Sequence, residues 1–163
     1  MYVRFRSKQD VLYQVMRIGQ ASALEAVEEA LTGDAPPDAK VRWFVEAFTS
    51  WHAQNHSAAR VRQYDLRALK PERFDEIREV RGRFDLLLKE ELRRGVDSGL
   101  FAIPKVDYAA LAILSLGIDV ARWYHPSVGV TPEELGKQYA ELVLRMLGSE
   151  ENSARDAADP RAG

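Results

Sequence analysis

Three groups of side chains in this sequence have the types and spacing to do chemistry. The first opens the chain: Ser7-Lys8 begins an amphipathic run, preceded by Arg4 and Arg6 with Tyr2 and Phe5 between and before them. A helix starting at Ser7 leaves backbone N–H groups unpaired at the positive end of its dipole, which makes a phosphate site. Tyr2, Arg4, Arg6, Ser7 and Lys8 are therefore candidate contacts to a nucleic-acid backbone, although phosphate contacts position a protein without specifying a base sequence. The second group is His52 and His56, four residues apart, the spacing at which two imidazoles on one helix face can grip zinc. Ala53 follows His52 where a metalloprotease pattern needs glutamate, and no acid completes the set, so no metal site is expected. The third group is aromatic. Phe44, Phe48, Trp51, Tyr64, Phe84, Trp123 and Tyr124 exceed what a small core needs, and with His52, Arg62 and Arg122 as polar members they are candidate lining for a ligand cavity. The competing reading makes each aromatic core and pairs each arginine with an acid such as Asp65 or Asp119.

Catalysis finds no support. There is no Ser-His-Asp order, glycine-rich phosphate loop or paired-carboxylate motif, and His52, His56 and His125 do not compose a site by spacing. The expectation is a protein that is not an enzyme and carries no cofactor.

Composition narrows the setting. The 163 residues suffice for one domain with a real core, and 46% hydrophobic with 29% charged residues is ordinary for a globular protein. The absence of cysteine excludes disulfides and thiolate chemistry, which makes the cytoplasm the default address. Runs free of charge, 47–59 and 108–118, fall far short of the roughly 20 apolar residues that span a bilayer. A net charge of −2 argues against a surface that coats nucleic acid, so any such contact must be local. The amino end leans basic, whereas the stretch from Ser149 onward leans acidic and is expected to be a flexible tail, 149–163.

These groups need helices to position them. Ser7 suits an N-cap with Asp10 as a capping-box partner, and Val11, Leu12, Val15, Met16 and Ile18 recur at helical spacing toward Leu31. Gly33 and the paired prolines Pro36 and Pro37 stop that helix, and Asp38 is the expected cap of a second with Val41, Phe44, Val45, Phe48 and Trp51 or His52 as its stripe. A shorter helix is expected over 57–69. Pro71 opens a long one, whose inner face takes Phe74, Ile77, Val80 or Arg81, Phe84, Leu87, Leu88 and Leu92. Asp107 is the expected cap of a helix over 108–123, and Thr131-Pro132-Glu133-Glu134 combines an N-cap, an N1 proline and early acids before a last helix ending near Gly148. Six helices and no strand pair predict an all-α fold. Leu111, Ile113, Leu114, Leu116 and Ile118 cannot share one narrow seam, so the 108–123 helix needs a second burying partner, expected to be another subunit.

The junction from Tyr2 to Leu12 resembles the one between the recognition helix and the next helix in TetR-type transcriptional regulators. So does the stretch from Leu116 through Trp123-Tyr124-His125-Pro126 to the capped final helix, which resembles the members with a Trp-Tyr-x-Pro turn. The resemblance implies a TetR-like helical ligand-binding domain whose last two helices form a four-helix bundle with a second copy. It places Leu111, Leu114, Ile118, Leu135, Tyr139, Leu142, Val143 and Met146 at that interface, and Phe44, Phe48, Trp51, His52, Arg62, Tyr64, Phe84, Arg122 and Trp123 around a ligand. It further implies that residues 1–6 are the remnant of the recognition helix and turn, that 7–148 form the sensor and dimerisation domain, and that DNA is bound only through a complete N-terminal head. The implied function is a ligand-responsive regulator, a repressor, with a hydrophobic or acyl-CoA-like effector. The alternative is a helical dimeric interaction module that senses no small molecule.

Overall fold

A computed structural model of the protein describes residues 7–57, 59 and 71–148. Five α-helices, α1 (Lys8–Ala30), α2 (Pro37–Gln54), α3 (Pro71–Asp97), α4 (Val106–Trp123) and α5 (Pro132–Leu147), and one 3-10 turn (Pro126–Val128) lie wholly within these residues; His56, Ser57 and Ala59 are helical as well, and no strand occurs among the described residues. The fold is all-α, as the periodicity predicts. The expected helix over 57–69 falls largely outside the described residues, as do residues 1–6 and 149–163.

The ends of the helices follow local chemistry, with two corrections. Ser7 caps α1, its Oγ accepting from the Asp10 N–H at 3.2 Å, and Thr131 caps α5 in a full capping box with Glu134. Asp38 does not cap α2: Pro36 holds the cap position and Pro37, with no N–H to satisfy, begins the helix two residues earlier. Nor does Asp107 cap α4, which starts at Val106 after Lys105. Its carboxylate turns instead to Lys89 on α3 at 2.8 Å, and that bond holds its pKa below the usual carboxylate range. The end of α1 is closed by the buried Lys40, whose ammonium donates to the carbonyls of Leu31 and, at 2.6 Å, Gly33. A cation there satisfies orphaned carbonyls at the negative end of the dipole.

Thr131→Ala is expected to lower stability by about 1 kcal/mol, measured by denaturant unfolding near neutral pH. The Thr131 backbone and hydroxyl donate to Glu134 and depress its pKa, so this part of the cap is present above the unfolded glutamate value and lost as pH falls through the folded one. The gap between wild type and Thr131→Ala should therefore narrow as pH falls below about 4. A gap unchanged at low pH would count against this account of the cap.

The centre of the fold is α2, which packs against every other described helix and most intimately against α5. Val41, Phe44, Val45 and Phe48 on α2, Leu88 and Leu92 on α3, Ile113 on α4 and Val143, Leu144 and Leu147 on α5 form one continuous core. The α2–α5 contact is close because Gly136 presents no side chain: a Cβ there would lie 2.8 Å from the Glu46 carbonyl oxygen. Ser50 Oγ donates to the Pro132 carbonyl at 3.0 Å, Gln54 Nε2 to Glu133 at 2.7 Å, and Arg42 pairs with Glu141 along the same seam. By contrast α4 and α5 touch each other little within the chain.

Candidate functional site

Between α1, α2, α3 and α4 lies a partly open cavity of about 50 Å³. Its described lining is Gln20 and Ala23 from α1, Phe48, Trp51 and His52 from α2, Ala59 beyond the end of α2, Arg81 and Phe84 from α3, and Ile118 from α4. Helical spacing puts the α2 members there: Phe48 and His52 are one turn apart on the same face, with Trp51 beside them. Their rings form a connected wall, Phe48 against Phe84 edge-on at 5.1 Å, against His52 at 4.4 Å and against Phe44 at 5.6 Å. Gly117 makes room for this wall, since a Cβ at that position would come within 2.5 Å of Phe48 Cδ1.

The polar members are held in defined ways. His52 Nδ1 lies 2.7 Å from the Phe48 carbonyl, which can only accept, so that nitrogen carries the ring proton. Trp51 Nε1 donates to Ser22 Oγ of α1 at 3.3 Å. The side-chain oxygen of Gln20 is buried with no hydrogen-bond partner among the described residues. Arg81 lies on the exposed side of the cavity, where desolvation alone lowers its pKa. No carboxylate among the described residues forms an ion pair with it. Among the described residues the cavity therefore combines an aromatic wall, an imidazole, an unsatisfied acceptor and a guanidinium without an anion, a set suited to holding a small, largely apolar molecule with one polar end.

Phe48, Trp51, His52 and Phe84, expected from the sequence as ligand-pocket residues, come together here. The others do not. Phe44 is buried behind Phe48 in the core and is not part of this lining. Arg122 is exposed and grips Asp119 with both nitrogens at 2.7 and 2.9 Å, because the two stand one turn apart on α4. Trp123 is half-buried against a second small cluster with Tyr124 and Val130, beyond the end of the cavity. Arg62 and Tyr64 lie outside the described residues. Gln20, Ala23, Ala59 and Arg81 are not among the residues expected. Of these only Arg81 leaves a trace in the sequence, as an arginine on the inner stripe that runs through Ile77, Phe84 and Leu88. A wider groove of about 500 Å³ between α1 and α3 is open and shallow, and none of the expected pocket residues line it.

The residues expected at an interface between copies fall into three groups, buried, exposed and half-buried. Leu135 and Val143 are 4% and 2% exposed and belong to the chain's own core, because α5 turns that face to α2. Leu111 and Leu142 are 62% and 58% exposed, and Met146 is exposed as well. Leu114 and Tyr139 are half-buried, and Ile118 borders the cavity. Tyr108 and Leu116 add further exposed apolar surface on α4.

At the amino end, Ser7 is exposed at the start of α1; Tyr2, Arg4 and Arg6 lie outside the described residues, as does the Lys8 side chain. The first turns of α1 are tied to α3. Arg73 pairs with Asp10 at 2.5 Å and stacks over the Tyr13 ring at 4.7 Å, and the Tyr13 hydroxyl donates to Glu76, a bond that raises the phenol's pKa. His56 Nδ1 lies 2.9 Å from the Ala53 carbonyl, so both histidines of the pair turn one nitrogen to backbone. Among the described residues no three His, Cys, Asp or Glu side chains gather to hold a metal ion. No helix among the described residues is long and apolar enough to cross a membrane.

Comparison with known proteins bears on this arrangement. Residues 34–147 match the family model described as "Tetracyclin repressor-like, C-terminal domain". The chain is 30% identical over 159 residues to the HTH-type transcriptional repressor KstR2 of Rhodococcus jostii, a match covering 93% of this chain and 76% of the relative. It superposes with a TM-score of 0.83 on the crystal structure of a regulatory protein of the tetR family from Rhodococcus RHA1, 36% identical over 89% of this chain and 76% of that one. The fold is shared, at 19% identity and a TM-score of 0.73, with AibR crystallised with isovaleryl coenzyme A and operator DNA, covering 88% of this chain and 76% of that one.

Proposed function

The chain belongs to the TetR family of transcriptional regulators, and from that premise we propose that residues 7–148 are the sensor and dimerisation domain of a ligand-responsive repressor whose effector is hydrophobic or acyl-CoA-like. The observation that carries the reading is the cavity walled by Phe48, Trp51, His52 and Phe84, with α1 as one side. A ligand can change DNA binding only by favouring one arrangement of the protein over another. Here α1 is the element that would carry the difference. Its middle, at Gln20 and Ala23, touches the cavity, and its first turns are held to α3 by Asp10–Arg73 and Tyr13–Glu76. The cavity and the amino end, where a complete head would meet DNA, thus share one rigid rod. That AibR, with the same fold, was crystallised with an acyl-coenzyme A and its operator supports an effector of this kind.

Regulators of this family are dimeric DNA binders, and the exposed apolar faces of α4 and α5 are the surface this chain offers a second copy. Leu111, Leu142 and Met146 are its centre, flanked by Leu114 and Tyr139. Thermal unfolding in the presence of acyl-CoAs of graded length, fatty acids and steroids tests the sensor reading, since a compound that binds only the folded state must raise the melting temperature. A stabilising compound is the expected result. A flat response across the panel would favour an interaction module that senses no small molecule.

A further inference from the structure

Arg81 is an anomaly in this fold. It stands on the face of α3 that carries Ile77, Phe84 and Leu88 into the interior, one turn from both Ile77 and Phe84. It borders the cavity without a carboxylate partner among the described residues, whereas His52 and Trp51 on the same cavity are hydrogen-bonded. A guanidinium stays cationic in any protein environment and presents a planar fork matched to carboxylate or phosphate oxygens. Leaving it partly desolvated without an anion is unfavourable, and that is the direction in which its pKa is displaced. Across the same cavity the Gln20 oxygen has no donor among the described residues.

The size of the space adds a second constraint. A cavity of about 50 Å³ admits a few heavy atoms, well below the several hundred Å³ of a site for a drug-sized ligand. An apolar group of roughly four or five carbons is the most that fits against Phe48 and Phe84 without moving them.

Building on the sensor reading above, we infer that the cavity takes the short acyl end of an anionic ligand, with Arg81 gripping its acidic group at the mouth. The shared chemistry is a short acyl group joined to an acid, and the acid has two sources: the carboxylate of the free acid or a phosphate of its coenzyme A thioester. Four probes separate them. Butanoate against butanamide reads the carboxylate, and butanoyl-coenzyme A against butanoyl-pantetheine reads the phosphates. Titration calorimetry on the full chain is expected to show at least one anionic probe binding about tenfold or more tighter than its neutral counterpart. In Arg81→Gln that preference should vanish while the neutral probe's affinity changes less than twofold, and Arg81→Lys should restore part of it. Because Arg81 is exposed and bridges no other described side chain, its replacement should leave the circular dichroism unchanged and the melting temperature no lower. Equal affinity for charged and neutral probes, or a preference that survives in Arg81→Gln, overturns the inference. If none of the four binds although the wider panel holds a stabilising compound, the inference fails and the sensor reading stands; if that panel is flat too, both fall.

Discussion

Replacing Gly136 with valine is expected to lower stability by about 3 kcal/mol and the melting temperature by roughly 10 °C. The reason is geometric. At Gly136 the first atom of any side chain meets the Glu46 carbonyl at 2.8 Å and the Glu46 Cα at 3.3 Å, and it also collides with Ser50 Oγ. Backbone atoms inside a helix cannot rotate away as a flexible side chain can, so α5 must move off α2. That movement stretches the Ser50–Pro132 and Gln54–Glu133 hydrogen bonds and opens the core between Val45, Val143 and Leu144. Alanine at the same position should cost less, because about 1 kcal/mol of better helix propensity offsets part of the clash. Gly82→Ala isolates that propensity gain. Gly82 is exposed on α3, with nothing within 4 Å of the place an alanine methyl would take, so alanine there should stabilise by about 0.5–1 kcal/mol. Chemical denaturation of the three variants checks the set. A Gly136→Val protein as stable as wild type would mean that α2 and α5 do not pack as described.

The double variant Leu111→Glu, Leu142→Glu is expected to dissociate the proposed dimer, raising its dissociation constant by at least about 100-fold, or about 3 kcal/mol. Both leucines are mostly exposed in the single chain, so the substitution should cost the monomer's own fold little. In a dimer built on the faces of α4 and α5, each subunit would bring two carboxylates into apolar surface, where uncompensated charge is strongly unfavourable. Leu86→Glu serves as the control, since Leu86 is an exposed leucine on α3, away from that face. Sedimentation velocity should show wild type and Leu86→Glu as dimers and the double variant as a monomer with unchanged circular dichroism. A double variant that remains dimeric would move the interface elsewhere on the surface.

How much of this is legible in the residue order depends on the range of the interaction. Helix starts carried by a hydroxyl and an acid three residues later, at Ser7 and at Thr131, are readable because donor and acceptor are neighbours in the chain. Asp38 and Asp107 mislead for the same reason in reverse. Each suits a cap by type, but a proline claims the first turn in one case and a lysine on another helix takes the carboxylate in the other. The cavity wall is half legible. Phe48, Trp51, His52 and Phe84 can be named, yet nothing local separates Phe48, which faces the cavity, from Phe44, one turn back on the same stripe and wholly in the core. Leu135 and Val143 raise the same difficulty on α5, where core and outer apolar positions alternate within two turns.

What the residue order determined alone was the all-α class, the breaks between helices, the absence of thiol chemistry and the family, because these rest on periodicity, turn chemistry and motifs a few residues long. What only the tertiary structure decided was which apolar face belongs to this chain and which is left for a second copy, and that an arginine on an inner stripe opens onto a cavity without a described anion. Those outcomes depend on how closely helices cross, and the crossing is set by pairs such as Gly136 with Glu46 and Gly117 with Phe48, whose members lie far apart along the chain. A helix's own periodicity states that a face will be buried; its neighbour's shape decides against what.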